Sequence, residues 1–379
     1  MVESNGSGAT TATRLTDDGA RAIVAEHALA ADRNRILSPP AVRAITDAGF
    51  PRHFVPGRFG GTDGTFVDFL HRVTVVAEGC AAAGWCASLF ASHARMATFL
   101  PPEGQHDLWG EGPDVRISAG VVPGGTVAGA PGGYTLTGSW TFISGIDFAD
   151  WVLVSGQEPD TTERRLRFFA VPRQHCTVDD TWFTVGMRGT GSRSVVLDDV
   201  FVPAHRSFRQ ESLLTGARPD AEHPLPFRLV NGLTMIAAPL GTTRAAVRVW
   251  SAWIAAKTEM SMGTVVRARD KASVQAALAR ASAAVDAAEL LLTRIAALAD
   301  AGVPIEPAVV ARSHRDYAVV AESLTDAIER VLRSSGARAQ AEDSPIQRAW
   351  RDVHTATSHA ALQFDPNAAV YARHMLGAG

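Results

Sequence analysis

The C-terminal run Arg351-Asp352-Val353-His354-Thr355-Ala356-Thr357-Ser358-His359-Ala360 sets a charged pair and two histidines close together. Imidazole is the side chain whose ordinary pKa lies nearest neutrality, so each histidine could take or deliver a proton. On one helix the two would point about 140° apart, so they do not form a pair. His359 is the candidate base, against the plainer reading of a histidine satisfied within a helix bundle. His93, in Ser92-His93-Ala94-Arg95, is a second candidate, against a helix-surface histidine. Gly138-Ser139-Trp140-Thr141-Phe142-Ile143-Ser144-Gly145 places the Ser144 hydroxyl behind an aromatic–Ile pair; taken plainly, it is a strand closed by a Trp-capped turn. Met187-Arg188-Gly189-Thr190-Gly191-Ser192 is glycine-rich like a nucleotide loop. It runs into an apolar strand pattern ending at Pro203, not into a helix, so the dinucleotide fingerprint fails its context. No His/Cys/carboxylate cluster has metal spacing, and no Ser–His–Asp arrangement is visible.

These residues are spread over a chain whose periodicity changes twice. Leu15 to Asp32 is amphipathic, Pro39-Pro40 opens a short helix ending near Gly49, and Thr65 to Phe99 is one long apolar-periodic stretch stopped by Pro101-Pro102. From Val115 to Pro203 the pattern alternates between turns at Pro123-Gly124-Gly125 and Pro131-Gly132-Gly133, which predicts a small β-barrel or sandwich. Helical periodicity returns over Leu229–Ala256, Ala272–Ala301, Pro307–Ser335 and Pro345 to about Gln363, with a short fifth helix near Asn367–Leu376. Four long amphipathic helices predict an antiparallel bundle. The expected division is a disordered tail over 1–12, an N-terminal helical domain over 13–112, a β-domain over 113–210 and a C-terminal helical bundle over 211–379: an α+β multidomain chain.

Composition narrows the function classes. The chain has 379 residues, 46% hydrophobic and 20% charged, with a net charge of −3. It carries no footprint for nucleic acid or an anionic membrane. Lys257 and Lys271 are the only lysines among 36 basic residues, as in a GC-rich bacterial genome. Cys80, Cys86 and Cys176 have neither metal nor disulfide-framework spacing and read as buried apolar residues in a reduced cytoplasm. The polar start to Ala12 has no apolar core and is not a signal peptide. No run reaches the roughly 18 apolar residues of a membrane span.

The chain resembles the acyl-CoA dehydrogenase fold in domain order, in the Gly138–Gly145 segment and in the Arg351-Asp352 helix. In that family an aromatic–Ile–Thr/Ser triplet lies along one edge of the flavin. The resemblance implies that Phe142 and Ile143 flank the ring, that Ser144 donates to its N5, and that Gly120 and Val121 join the flavin contact. It also sets Arg267 and Gln275 where the dehydrogenases hold flavin, and Ser335-Gly336 at the adenine-side turn. The family's dehydrogenases abstract a proton with a Glu at one of two places. Here those places hold Ala360 and Asn231, and no Glu follows Glu342.

The chemistry implied is therefore that of the two-component flavin-dependent monooxygenases of this fold. The phrases Asn34-Arg35-Ile36-Leu37-Ser38-Pro39, His53-Phe54-Val55-Pro56, Gly186–Ser192 and Arg348–His354 are similar to the branch containing the flavin hydroxylase of the actinorhodin aromatic polyketide pathway. Such enzymes take reduced flavin, FADH2 or FMNH2, from a separate NAD(P)H:flavin reductase and use O2. A flavin C4a-hydroperoxide then hydroxylates an aromatic or heteroaromatic ring, with no metal. His359 is implied to deprotonate the substrate hydroxyl, in a pocket lined by Trp85, His93, Phe99, Met235 and Asn231. N-oxygenation of an amine or amino sugar, and an acyl-CoA dehydrogenase-like oxidation, remain alternatives. The expected assembly is a cytoplasmic homotetramer that binds neither membrane nor nucleic acid.

Overall fold

The structure is a computed structural model and describes residues 14–159, 165–217 and 225–377. The expected tail over 1–12 lies outside them. Five α-helices come first among the described residues: α1 (Asp17–Asn34), α2 (Pro39–Asp47), α3 (Phe66–Gly79), α4 (Ala81–Ala97) and α5 (Pro102–Trp109). Side-chain caps set several starts: Thr16 accepts from Gly19 N, and Thr65 accepts from Asp68 N. Asp300, at the far end of the bundle helix α8 (Ala272–Asp300), accepts from Phe66 N and Val67 N at 2.8 and 2.9 Å. It thereby supplies the negative charge that a helix N-terminus favours.

The single stretch expected from Thr65 to Phe99 is two helices. The chain breaks at Cys80, which is extended (φ −155°, ψ 117°). A Cβ on Gly79 would lie 2.4 Å from the Arg21 carbonyl, so the close crossing of α1 turns the chain there. Helix α5 had no separate signal, because Pro101-Pro102 reads equally as a stop and as a helix start.

Eight strands follow among the described residues: β1 (Ile117–Gly120), β2 (Gly125–Ala130), β3 (Gly133–Ile143), β4 (Trp151–Gln157), β5 (Leu166–Pro172), β6 (Thr177–Asp179), β7 (Arg193–Pro203) and β8 (Ser207–Arg209). They form two four-stranded sheets, ordered β1-β4-β5-β8 and β2-β3-β7-β6, antiparallel except for the parallel pair β1–β4. Leu136, Trp140, Ile143, Val152, Phe169 and Val195 fill the space between them. The β3–β7 register slips between Leu136 and Gly138, and again between Trp140 and Ile143, where the strand leaves for the site.

After the short α6 (Gln210–Thr215), the bundle is built from α7 (Phe227–Ala256), α8, α9 (Pro307–Arg333), α10 (Pro345–Thr357) and α11 (Phe364–Leu376). One continuous core runs from Ala20 through α3, α4 and the bundle to Leu362, so the helices on either side of the β-strands share a hydrophobic interior. Two features differ from the expectation. A hairpin, β9 (Thr258–Ser261) with β10 (Thr264–Arg267), interrupts the helices, and α10 ends at Thr357 instead of continuing to Gln363. Helical layer, paired sheets and helical bundle follow in the order that the resemblance implied. Among the described residues no helix is long and apolar enough to cross a membrane.

Candidate functional site

Helix α4 is the centre of the site. All its residues except Arg95 are buried, and its alanines, glycine and serines let it pass between the bundle and the β-strands. Ser88 Oγ donates to the Thr234 carbonyl at 2.7 Å, and Ser92 Oγ bonds Thr234 Oγ1 at 2.7 Å, which fastens α4 to α7. On α7 the buried Met235 and half-buried Asn231 are one turn apart, on the same face. Trp85 joins three parts of the molecule. Its Nε1 donates to Ser144 Oγ at 3.1 Å, at the end of β3, and its ring stands 6.2 Å from that of His359, in the turn between α10 and α11.

Ser144 heads a chain of hydroxyls. Ser144 Oγ and Ser192 Oγ are 2.7 Å apart, Ser192 Oγ and Thr190 Oγ1 are 2.7 Å apart, and Thr190 Oγ1 donates to the Met187 carbonyl at 2.8 Å. An indole N–H can only donate and a carbonyl can only accept, so the ends set the direction. Ser192 donates to Thr190, Ser144 donates to Ser192, and Trp85 donates to Ser144. In this direction the Ser144 hydrogen goes to Ser192 and Ser144 presents an acceptor, where the resemblance implied a donor to a flavin N5. The backbone is equally fixed, with Ser118 Oγ donating to the Ser144 carbonyl at 2.8 Å.

His359 is not on a helix. Its own Nδ1 accepts the Ala361 N–H at 3.1 Å, capping the 3-10 turn Ala360–Leu362 and ending the helical run. Asn367 pins this turn through Nδ2 to the Ala361 and Gln363 carbonyls, at 3.0 and 2.7 Å. With Nδ1 accepting, the neutral ring carries its proton on Nε2, so His359 offers a donor where the resemblance implied a base. Burial lowers its pKa, keeping it neutral. His93 is the reverse case. Its Nδ1 is 3.0 Å from the Ile117 carbonyl and must carry the proton, leaving Nε2 as an acceptor. Burial pushes its pKa down to about 4.

The other expected residues divide. Phe142 is 71% exposed, held at φ 62°, with its ring 6.2 Å from Trp182, edge to face. A bulky residue in the left-handed region is strained, and here the strain turns an aromatic ring outward. Val121 is exposed beside this region of the sheet. Ile143, by contrast, is fully enclosed between the sheets, so its side chain cannot line a ligand. Gly120 is also buried: a Cβ there would lie 2.7 Å from Ile143 Cδ1, so its smallness serves strand packing. Phe99 stacks toward Phe208 at 5.9 Å, in the second core formed by α4, α5 and the first sheet, away from Trp85.

Arg267, Gln275, Ser335 and Gly336 belong to the opposite end of the bundle. Ser335 is wholly buried and bonds the Val331 carbonyl, Gln275 donates to the Arg269 carbonyl, and Arg267 is exposed at the hairpin base. Some 21 residues of α7 separate Met235 from Ala256, about 30 Å, so none of the four reaches Ser144 within one chain. Sequence reading passed over Ser118 and took Thr190 and Ser192 only as part of a loop, with no role of their own. The last two lie in the noted Gly-rich loop, whose tight turns place Met187 and Gly191 at positive φ.

Charge ties this loop to α10. Asp352 Oδ1 accepts from Met187 N at 2.6 Å, while Arg351 pairs with Asp32 at 2.7 and 3.0 Å and donates to the Val185 carbonyl. The Arg-Asp pair thus joins α1, the loop and α10. A cavity of about 90 Å³ lies at the α3–α4 break, lined by Cys80, Arg348 and Asp352. It is too small for an aromatic ligand, for which pockets run to roughly 300 Å³ or more, and none of Trp85, Ser144, His93 or His359 lines it. All three cysteines are free and buried, and burial raises each thiol pKa.

Residues 233–364 match the family "Acyl-CoA dehydrogenase, C-terminal domain". Over 338 residues the chain is 32% identical to the flavin-dependent monooxygenase oxygenase subunit HsaA of Rhodococcus jostii, covering 86% of this chain and 88% of that one. It is 29% identical over 357 residues to the oxygenase component of the FADH(2)-dependent resorcinol hydroxylase of a Rhizobium species, with 89% and 87% covered. Among solved structures, XiaF from a Streptomyces species, in complex with FADH2 and glycerol, superposes with a TM-score of 0.87 at 27% identity, covering 94% of this chain and 93% of that one.

Proposed function

The chain belongs to the flavin-dependent monooxygenase oxygenase subunits of the acyl-CoA dehydrogenase fold, and from that premise we propose that it hydroxylates a phenolic aromatic ring. The carrying observation is the Trp85 junction, where one side chain touches both Ser144 at the strand edge and the histidine of the α10–α11 turn. An outward aromatic at Phe142 and an acceptor at Ser144 suit a flat ring system with an apolar face and a polar edge. Reduced flavin, FADH2 or FMNH2, would lie against them, and with O2 it supplies the oxygen that is inserted. A separate reductase is the proposed source, in keeping with the oxygenase-component names of the relatives.

The protein's own contribution is to hold the substrate and shift its electrons. His359 donates its Nε2–H to the substrate oxygen, and as the hydroxyl proton moves toward the acceptor Nε2 of His93 the negative charge that develops on that oxygen enriches the ring carbons ortho and para to it. His93 Nε2 receives a hydrogen bond from the hydroxyl, and its low pKa keeps that lone pair available at neutral pH. Met235 and Trp85 supply the apolar walls, and Asn231 a polar edge. No carboxylate stands at Asn231 or Ala360 to abstract a proton next to a thioester.

The phrases shared with the actinorhodin-pathway branch support an aromatic secondary metabolite as substrate. The test is turnover with reduced flavin, O2 and a panel of phenols, quinols and indoles. Oxygen incorporated into a ring product supports the reading; H2O2 alone across the whole panel overturns it.

A further inference from the structure

The direction of the hydroxyl chain has a consequence for which redox form the site prefers. Thr190 is 2% exposed and Ser192 4%, so water does not serve either hydroxyl, and each proton has one place to go. Trp85 Nε1–H enters the chain at Ser144, and the Met187 carbonyl ends it. Ser144 accepts from Trp85 and donates to Ser192, which leaves one lone pair and no hydrogen for a ligand. Reversing the chain would set Thr190 Oγ1 and the Met187 oxygen 2.8 Å apart with no hydrogen between them. Two facing oxygens at that distance repel, so the observed direction is the stable one. The Met187 carbonyl is held in turn, accepting from Trp182 Nε1 at 3.0 Å, while the Met187 N–H is held by Asp352.

We infer that Thr190 and Ser192 are positioning residues that hold Ser144 as an obligate acceptor, so that the site favours a ligand edge carrying an N–H. This rests on the reading of the junction as the flavin site. Reduced flavin has a hydrogen on N5 and oxidised flavin has only a lone pair there, so the chain selects the reduced form. Taking away a hydroxyl two links from Ser144 releases that constraint. In Thr190→Val, Ser192 loses its acceptor and turns to donate to Ser144, whose own hydrogen then faces the ligand.

The experiment is anaerobic titration of the full chain with FAD and with FMN, each oxidised and dithionite-reduced, followed by the quenching of protein fluorescence. The unchanged protein should bind reduced flavin the more tightly. Thr190→Val should lower the ratio of oxidised to reduced Kd by about 5–10-fold, the size of one hydrogen bond, with oxidised flavin bound more tightly than before. Thr190→Ser, which keeps the hydroxyl, should restore the original ratio. Ser192→Ala should shift it as Thr190→Val does, and serves if the valine variant fails to fold. A merely structural lesion would weaken both forms together; an unchanged ratio in folded Thr190→Val or Ser192→Ala overturns the relay. Failure of the unchanged protein to bind flavin in either form overturns the flavin reading itself, and this inference with it.

Discussion

At the scale of single residues, the two histidines have opposite tautomers because their Nδ1 atoms face opposite backbone groups. Ala361 offers an N–H to His359, and Ile117 offers a carbonyl to His93. A proton-donating His359 makes a prediction that a base would not. His359→Ala should slow product formation by about 10²–10³-fold, as for a lost oxyanion donor, while flavin binding is unchanged and O2 consumption yields H2O2. His359→Gln, which can still present an N–H, should recover at least about tenfold of that loss. Product assays and peroxide assays side by side check both. Equal loss in the two variants would return His359 to the role of base, since glutamine can donate a hydrogen bond but cannot take up the proton.

At the scale of elements, the α10 anchor decides where the turn carrying His359 sits, and it includes a titratable group, Asp352. Burial pushes the Asp352 carboxyl up to about 6, against the hydrogen bond from Met187 N and the charges of Arg351 and Arg348. Below about pH 4 the carboxyl is protonated in both folded and unfolded chains and contributes no pH dependence. Between roughly pH 4 and 6 the unfolded chain releases its proton first, so this group lowers stability as pH rises. The loss reaches about 2–3 kcal/mol above pH 6. Asp352→Asn keeps an oxygen for Met187 N and removes the charge. Its Tm relative to wild type should therefore climb from pH 4 to pH 7, most steeply near pH 5, in calorimetric scans. A constant difference across that range would show that Asp352 is paired more strongly than its surroundings suggest.

For the whole molecule, we propose that Arg267, Gln275, Ser335 and Gly336, remote from Ser144 within one chain, serve the flavin site of a second copy. The two lysines of the chain, Lys257 and Lys271, both pair with Glu259 at the base of the β9–β10 hairpin. The tip presents Met260 and Val265 to solvent, with Met262 fully exposed, an apolar surface of the kind that marks association. In the homotetramer expected from the sequence, this end of one subunit would meet the flavin site of another. Changing Met260 and Met262 together to Glu should leave the circular dichroism spectrum intact, reduce the particle mass by light scattering, and weaken flavin binding about tenfold or more. A wild-type monomer at micromolar concentration would rule the tetramer out.

What the chain's own pattern determined is the sequence of layers and the identity of the candidate groups. Helical, alternating and again helical periodicity follow from which faces must be buried, and that is written residue by residue in places such as β4, β5 and α7. His359, Ser144 and Phe142 were singled out by the resemblance to the acyl-CoA dehydrogenase fold, as were the Glu places that hold Ala360 and Asn231; the Gly186–Ser192 loop stood out by its glycines. The roles of those groups depended on contacts between parts distant in sequence. The break at Cys80 comes from the crossing of α1, and the stop at Thr357 from an imidazole capping its own turn. The donor or acceptor character of Ser144 is set by an indole 59 residues away and a carbonyl 43 residues beyond it. Hydrogen-bond direction is a property of the closed network, and only the tertiary structure closes it.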